Sequence, residues 1–187
     1  IEGQDTKTYY MVRWAGVDPL DGSPMWYDAN GNITKVYDST NNRVRGKSAN
    51  PTVTGGMTNT LSYKNFSLRF LLNYQFGGYA YSSFASIMNS DGYNVLSYNQ
   101  AIEQRNYWRN PGDIAMNTRP QAGVSTGSSR TSTRYLYKKD LVRLQNVVFT
   151  YQLPRSLVNG WKLSNASVSL IADNLLAYSP YSGSDHN

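Results

Sequence analysis

The run Phe66–Phe76, FSLRFLLNYQF, alternates along its whole length. Phe66, Leu68, Phe70, Leu72, Tyr74 and Phe76 fall on one face, and Ser67, Arg69, Leu71, Asn73 and Gln75 on the other. Successive side chains of a strand point to opposite faces, so this strand has two different surroundings. A run of about eleven residues at roughly 3.4 Å each, tilted by about 45°, covers about 25 Å along a membrane normal, the height of the apolar band on a transmembrane barrel. Strands of soluble sandwiches run to roughly half that length. The pattern predicts a membrane-barrel strand with its six apolar residues facing lipid.

Three further segments read the same way. Val53–Tyr63 (VTGGMTNTLSY) is expected to pair with it through the two-residue connection Lys64-Asn65. Leu141–Leu153 sets Val147, Phe149 and Tyr151 against Asn146, Val148, Thr150 and Gln152, and stops at Pro154. Ala166–Asp173 sets Ala166, Val168, Leu170 and Ala172 against Ser167, Ser169, Ile171 and Asp173. Residues 1–50 are turn-rich, with short strands expected over Thr8–Ala15, Met25–Tyr27 and Ile33–Tyr37 between the turn clusters Val17–Pro24 and Asp28–Asn32. Residues 77–140 show no sustained alternation apart from a short helix expected over Ala101–Trp108, which Pro111 would not extend.

Composition narrows the class. The 187 residues hold no uninterrupted apolar stretch long enough for a transmembrane helix. A spanning chain without helices needs a closed barrel, because lipid cannot satisfy free backbone groups. A mean hydropathy of -0.55 fits a polar lumen and polar loops. Sixteen Tyr and four Trp against five Phe favour amphipathic rings, which suit a membrane interface or a carbohydrate-facing surface. The net charge of +6 is scattered, with no basic run, which points to solvated loops and lipid headgroups and away from nucleic acid.

Enzyme chemistry finds few candidates. The chain has no cysteine, and His186 is its single histidine, so neither a thiolate, a Ser-His-Asp relay nor a multi-His metal site can be assembled from it. Asp18, Asp21 and Asp28 sit in turns, where carboxylates bond to local backbone; a glycosidase pair with Glu103 or a calcium loop is the lesser reading. No catalytic, cofactor or metal residue is therefore expected. Tyr79, Tyr81, Tyr93, Tyr98, Tyr107 and Trp108, among Asn89, Asn94, Asn99 and Gln100, could stack on and hydrogen-bond a sugar, a peptide or a partner protein. The same rings could instead pack the loop onto itself.

Connection lengths assign sides, since outer-membrane barrels have short periplasmic turns and long extracellular loops. The expected order is a mainly extracellular hairpin region (1–50), a transmembrane hairpin (53–76), a long extracellular loop (77–140), a second transmembrane hairpin (141–175) and the start of another extracellular loop (176–187). Four spanning strands cannot close a barrel, so they form part of a larger wall. Two alternatives are a soluble β-sandwich binding module and a barrel chain held as a client of an assembly or secretion machine.

LVRLQNVVFTYQLPRSLV (141–158) and VSLIADNLLAYSPYSGSD (168–185) carry Arg143, Leu144, Asn146, Tyr151, Leu153, Pro154, Asn174, Leu175, Tyr181, Gly183 and Asp185. These segments resemble the C-terminal barrel region of SusC/RagA family TonB-dependent outer-membrane transporters of Bacteroidetes; His186 and Asn187 depart from the Pro-Glu usual there. AGVDPLDGSPMWYDANGNI, NPTVTGGMTNTLSYKNFSL and NYWRNPGDIAMNTRP resemble further segments of that family, in the same order. The resemblance implies an antiparallel barrel of about 22 strands in the outer membrane. It also implies nutrient uptake, of an oligosaccharide or a peptide, with a SusD-like lipoprotein as partner and TonB acting through an N-terminal part. The plug and the final strand are expected to lie outside the chain.

Overall fold

The computed structural model describes residues 2–41, 43, 46–161 and 163–180. In chain order the elements are β1 (Trp14–Val17), β2 (Pro24–Tyr27), β3 (Ile33–Thr34), β4 (Val53–Tyr63), β5 (Phe66–Phe76), β6 (Tyr79–Tyr81), α1 (Ser83–Met88), β7 (Leu136–Lys138), β8 (Leu141–Gln152), α2 (Arg155–Gly160) and β9 (Ser167–Tyr178). They fall into two compact units interleaved in sequence: Ile1–Asn50 with Tyr79–Tyr137, and Pro51–Gly78 with Lys138–Asn187.

The second unit is an antiparallel sheet in the order β4-β5-β8-β9. β4 and β5 pair without a break from Val53↔Phe76 to Tyr63↔Phe66, as the alternation predicts. The intervening Lys64 takes a left-handed backbone, φ 52°. A bulge at Gln145 interrupts the pairing of β5 with β8, so that Leu71 faces Asn146 while Leu72 faces Leu144. The irregularity continues into β9, where Asn174 has φ 53°. At the far end of the β5-β8 hairpin, Gly77 N donates to Asp140 at 2.7 Å and Lys139 N to the Gly78 carbonyl at 2.9 Å.

The first unit combines the small sheet β1-β2-β3 with the pair β6-β7 and long ordered loops. Its core is aromatic. Trp26 is 1% exposed and meets Trp14 and Tyr37 edge to face, with ring centres 5.8 and 5.4 Å apart. Tyr135, Trp108, Val12 and Met11 are buried with it.

Several expectations need correction. The strand expected over Thr8–Ala15 is mostly irregular chain, with single bridges at Thr8 and Val12 and a regular strand beginning at Trp14. Its backbone is instead satisfied by partners far along the chain: Thr133 N donates to Val12 O, and Trp14 N to Thr133 Oγ1, each at 3.0 Å. Ile33–Tyr37 shortens to Ile33–Thr34. The helix expected over Ala101–Trp108 is a single 3-10 turn, Ile102–Arg105, because Asn106 turns out of helical conformation and Tyr107 bridges to Asn117. Conversely, α1 was not anticipated; one and a half turns hold too little periodicity, although Ser82 caps it by accepting from Ala85 N at 3.0 Å. β9 runs five residues past Asp173, so Leu176–Tyr178 are strand and not loop. Tyr181, Gly183, Asp185, His186 and Asn187 lie outside the described residues.

Candidate functional site

The register of the four-stranded sheet sorts its side chains. One face carries Val53, Met57 and Leu61 from β4, the six alternating residues of β5, Val142, Leu144, Val147 and Phe149 from β8, and Val168, Leu170, Ala172 and Leu176 from β9. Rings gather at its two ends. Tyr63, Phe66 and Tyr151 stand at the end with the Lys64-Asn65 turn, where Phe66 stacks on Tyr151 at 4.7 Å. Tyr74, Phe76 and Tyr178 stand at the other. Apolar residues between two rows of rings are how a barrel strand meets hydrocarbon and its two interfaces.

The opposite face is mainly polar: Thr54, Thr58, Thr60 and Ser62, then Ser67, Arg69, Asn73 and Gln75, then Arg143, Asn146 and Thr150 with Gln145 at the bulge, then Ser167, Ser169 and Asp173, with Leu71, Leu141, Val148 and Ile171 among them. These groups bond across the strands. Asn146 donates to Asp173 at 2.7 Å, Thr150 and Ser169 share a hydrogen bond of 2.8 Å, and Asn73 donates to Gln145. Gly56 fits this wall sterically, since a Cβ on it would lie 2.7 Å from Asn73 Oδ1, and on the apolar face Gly55 makes room for the Tyr74 ring, whose hydroxyl would lie 2.4 Å from a Cβ.

The loop unit is held by an ion pair. Asp91, with 0% exposure, accepts from Arg134 Nη1 and Nη2 at 2.9 and 3.0 Å and from Thr118 Oγ1 at 2.7 Å. Its own N–H donates to Gln104 Oε1 at 3.0 Å. Arg134 Nη2 also donates to Asn117 Oδ1 at 2.7 Å, and the guanidinium lies 5.0 and 5.2 Å from the centres of the Trp14 and Tyr135 rings. Burial raises the Asp91 carboxyl, but the hydrogen bonds and charge of Arg134, with Ser128 and Thr118, outweigh it and hold the group below the ordinary carboxylate range. Burial likewise pushes the Tyr135 phenol up.

A second fastening joins two segments noted in the sequence, AGVDPLDGSP and NYWRNPGD. Trp108 Nε1 donates to Pro19 O at 2.9 Å, Gly112 N to the same oxygen at 2.7 Å, and the Trp108 ring packs on Gly22. Asp18 and Asp21 share Lys35 at 2.5 and 2.7 Å and accept from Leu20 N and Ser23 N. Asp28 accepts from Asn30 N and Asn32 N. Each of these carboxylates is engaged in its own turn, and among the described residues no group of three acidic or histidine side chains is placed to hold a metal.

The six aromatic candidates part company. Trp108 is 3% exposed and belongs to the loop core. Tyr79 and Tyr81 are half-buried in β6, next to Tyr9. Tyr107 is half-buried under Arg109, whereas Tyr93 and Tyr98 are exposed. The structure brings none of them into a single stacked surface with the others: no pair among them makes a ring contact among the described residues. Sequence reasoning missed Asp91 and Arg134. The available signal was that Asp91 is the only acidic residue between Asp38 and Glu103.

These features define a class: an antiparallel segment of a transmembrane β-barrel wall, together with an ordered loop unit. The comparisons agree. The TonB-dependent receptor P3 of Formosa agariphila is 29% identical over 204 aligned positions, which take in 98% of this chain and 19% of the receptor. Solved structures of the RagAB peptide transporter superpose with a TM-score of 0.78 at 28% identity, covering 94% of this chain and 20% of the other. The RagAB peptide importer in its "open-open" state gives 0.76 at 26%, over 96% and 20%, and in its "closed-closed" state 0.73 at 30%, over 92% and 19%. No family model matches the chain. The chain is thus similar, over nearly its whole length, to SusC/RagA-type TonB-dependent transporters, and it spans about a fifth of the length of the relatives it matches.

Proposed function

We propose that this chain forms the C-terminal wall and part of the surface loops of a TonB-dependent outer-membrane importer of the SusC/RagA type. The observation that carries the reading is the largely apolar face of β4, β5, β8 and β9, bounded by rings at both ends and backed by a mainly polar face. Leu170, Leu176 and Tyr178 are each about 70% exposed on it (72%, 68% and 72%), which water would penalise and lipid would not. The turn at Lys64-Asn65 and the α2 connection share one end of the sheet and are assigned to the periplasm; residues 77–140 are assigned to the cell surface. The polar face lines the lumen. Uptake of an oligosaccharide or peptide with a SusD-like lipoprotein, driven through TonB, is proposed on the likeness to RagAB and receptor P3.

The chain has no cysteine, so single cysteines can report its sidedness. Tyr98→Cys should react with a membrane-impermeant maleimide on intact cells. Asn159→Cys, in α2, should react only after the outer membrane is opened. The reverse pattern, or equal reactivity of both sites on intact cells, refutes the assignment.

A further inference from the structure

At the end of the sheet that carries Tyr63, Phe66 and Tyr151, the connection from β8 to β9 is a folded element of its own. Gln152 N donates to Asn65 O at 2.8 Å and Leu153 N to Ala166 O at 2.9 Å, which closes the strands, and α2 follows at once. Its residues divide by side. Leu157 and the C-cap residue Trp161, four positions apart, share one face of the turn, while Arg155 and Asn159 fall on the other. Past the helix, Leu163 N donates back to Val158 O at 3.3 Å, which keeps Leu163 beside the same turn. Leu157, Trp161 and Leu163 are left 52%, 62% and 49% exposed, although Val158 within the turn is buried. Of the chain's four tryptophans, Trp161 is the one that stands exposed.

We infer that α2 lies in the headgroup layer of the periplasmic leaflet, with Leu157, Trp161 and Leu163 against lipid and Arg155 and Asn159 toward phosphate and water. Height supplies the first step. Three residues separate Arg155 from Tyr151, whose ring stacks on Phe66 in the row that marks the interface. Four steps of about 3.3 Å along a strand tilted by about 45° rise at most about 9 Å, and the headgroup region beyond the hydrocarbon is about 5–8 Å deep. Leu and Trp side chains reach back over the difference. Area and composition select the occupant: a stable protein partner generally needs about 800 Å² and about 20–30 residues a side, far more than one short helix presents. Lipid sets no such threshold, because the adjoining sheet is already immersed in it. Trp is enriched at membrane interfaces, and the neighbouring turn repeats the pairing of ring and cation, with Lys64 Nζ 5.3 Å from the Tyr63 ring centre. The inference rests on the barrel reading and extends its lipid contact from the strands to the connection between them.

The test uses the whole outer-membrane protein reconstituted into vesicles of phosphatidylethanolamine and phosphatidylglycerol. Leu157→Cys, Trp161→Cys and Asn159→Cys each carry a bimane label in turn, with iodide on both sides of the membrane, and assembly of each variant is checked by its faster gel migration before boiling. Lipid brominated on the upper acyl chain should quench the labels that replace Leu157 and Trp161, and quenching of these two by iodide should be lost. The label that replaces Asn159 should show the reverse. Iodide quenching equal at all three positions would place the apolar side of α2 in water and overturn the inference. Shielding of the first two labels from both quenchers would mean that protein covers this face, and would overturn it equally. Neither result alters the sidedness of Tyr98→Cys and Asn159→Cys on intact cells, which tests the barrel reading separately.

Discussion

Asp91 combines two unfavourable states, a left-handed backbone at φ 52° and a carboxylate with no exposure. Arg134, Thr118 and the amide of Gln104 satisfy it, and removing one partner of such a buried pair generally costs about 3–5 kcal/mol. Asp91→Ala should therefore loosen residues 79–137, seen as faster amide exchange there with the sheet amides of β5 and β8 unchanged. The pH dependence has a definite sign. The folded Asp91 carboxyl lies below its ordinary value of 3.8, so its contribution is complete above that value and is lost as pH falls through the folded one. Exchange protection in the loop should persist from pH 7 to 5 and decline below about 4, and the Asp91→Ala variant should lack that decline. Gly22 presents a steric case. Its φ is +74°, and a Cβ there would lie 2.5 Å from the Trp108 ring. Gly22→Ala combines backbone strain with overpacking, together about 2–4 kcal/mol, and should raise Trp108 fluorescence quenching by acrylamide.

At the scale of elements, the alternation of β5 turns one residue into a test of its neighbour. Phe70 lies on the apolar face opposite Asn59 and Val147, near mid-strand, while Leu71 lies on the polar face opposite Thr58 and Asn146. A lysine near the bilayer midplane on the lipid side of a barrel costs about 2–4 kcal/mol, and lumen positions are spared. Phe70→Lys should lower the yield of assembled protein in the outer membrane, and Leu71→Lys should leave it near normal; equal effects would mean the faces are misassigned. β4, β5 and most of β8 were legible in the sequence because period two persisted through them. The end of β9 was not, because Asn174 stands where alternation calls for an apolar residue and Leu175 where it calls for a polar one. The bulge that places them there is a tertiary fact, written in the pairing with β8. Thr8–Ala15 misled in the opposite way: its residues favour strand, but their partners are loop residues such as Thr133 that no local pattern announces. The ion pair of Asp91 with Arg134, 43 positions apart in sequence, is illegible for the same reason.

For the whole molecule, the interleaving of the two units is itself a prediction about assembly. The chain leaves the sheet at Gly78 and re-enters it at Lys139, and these two residues are already hydrogen-bonded at 2.9 Å, with Gly77 tied to Asp140 beside them. The β5-β8 pairing needs only a closed hairpin at that end, so most of what lies between serves the loop unit. Joining Gly78 directly to Lys139, with residues 79–138 removed, should leave a wall that still inserts and still migrates faster on gels unless boiled, as folded barrels do. Residues 1–50 should fare differently. Their fastenings run to the deleted segment: Trp108 to Pro19 at 2.9 Å, Tyr37 to Thr131 at 2.9 Å, and Thr133 to both Val12 and Trp14 at 3.0 Å. Without those partners the region should become sensitive to protease added to intact cells, and the uptake proposed above should fail although the barrel is present. Loss of the barrel itself would show that the sheet depends on the loop unit for assembly, and that the two units are not separable in folding.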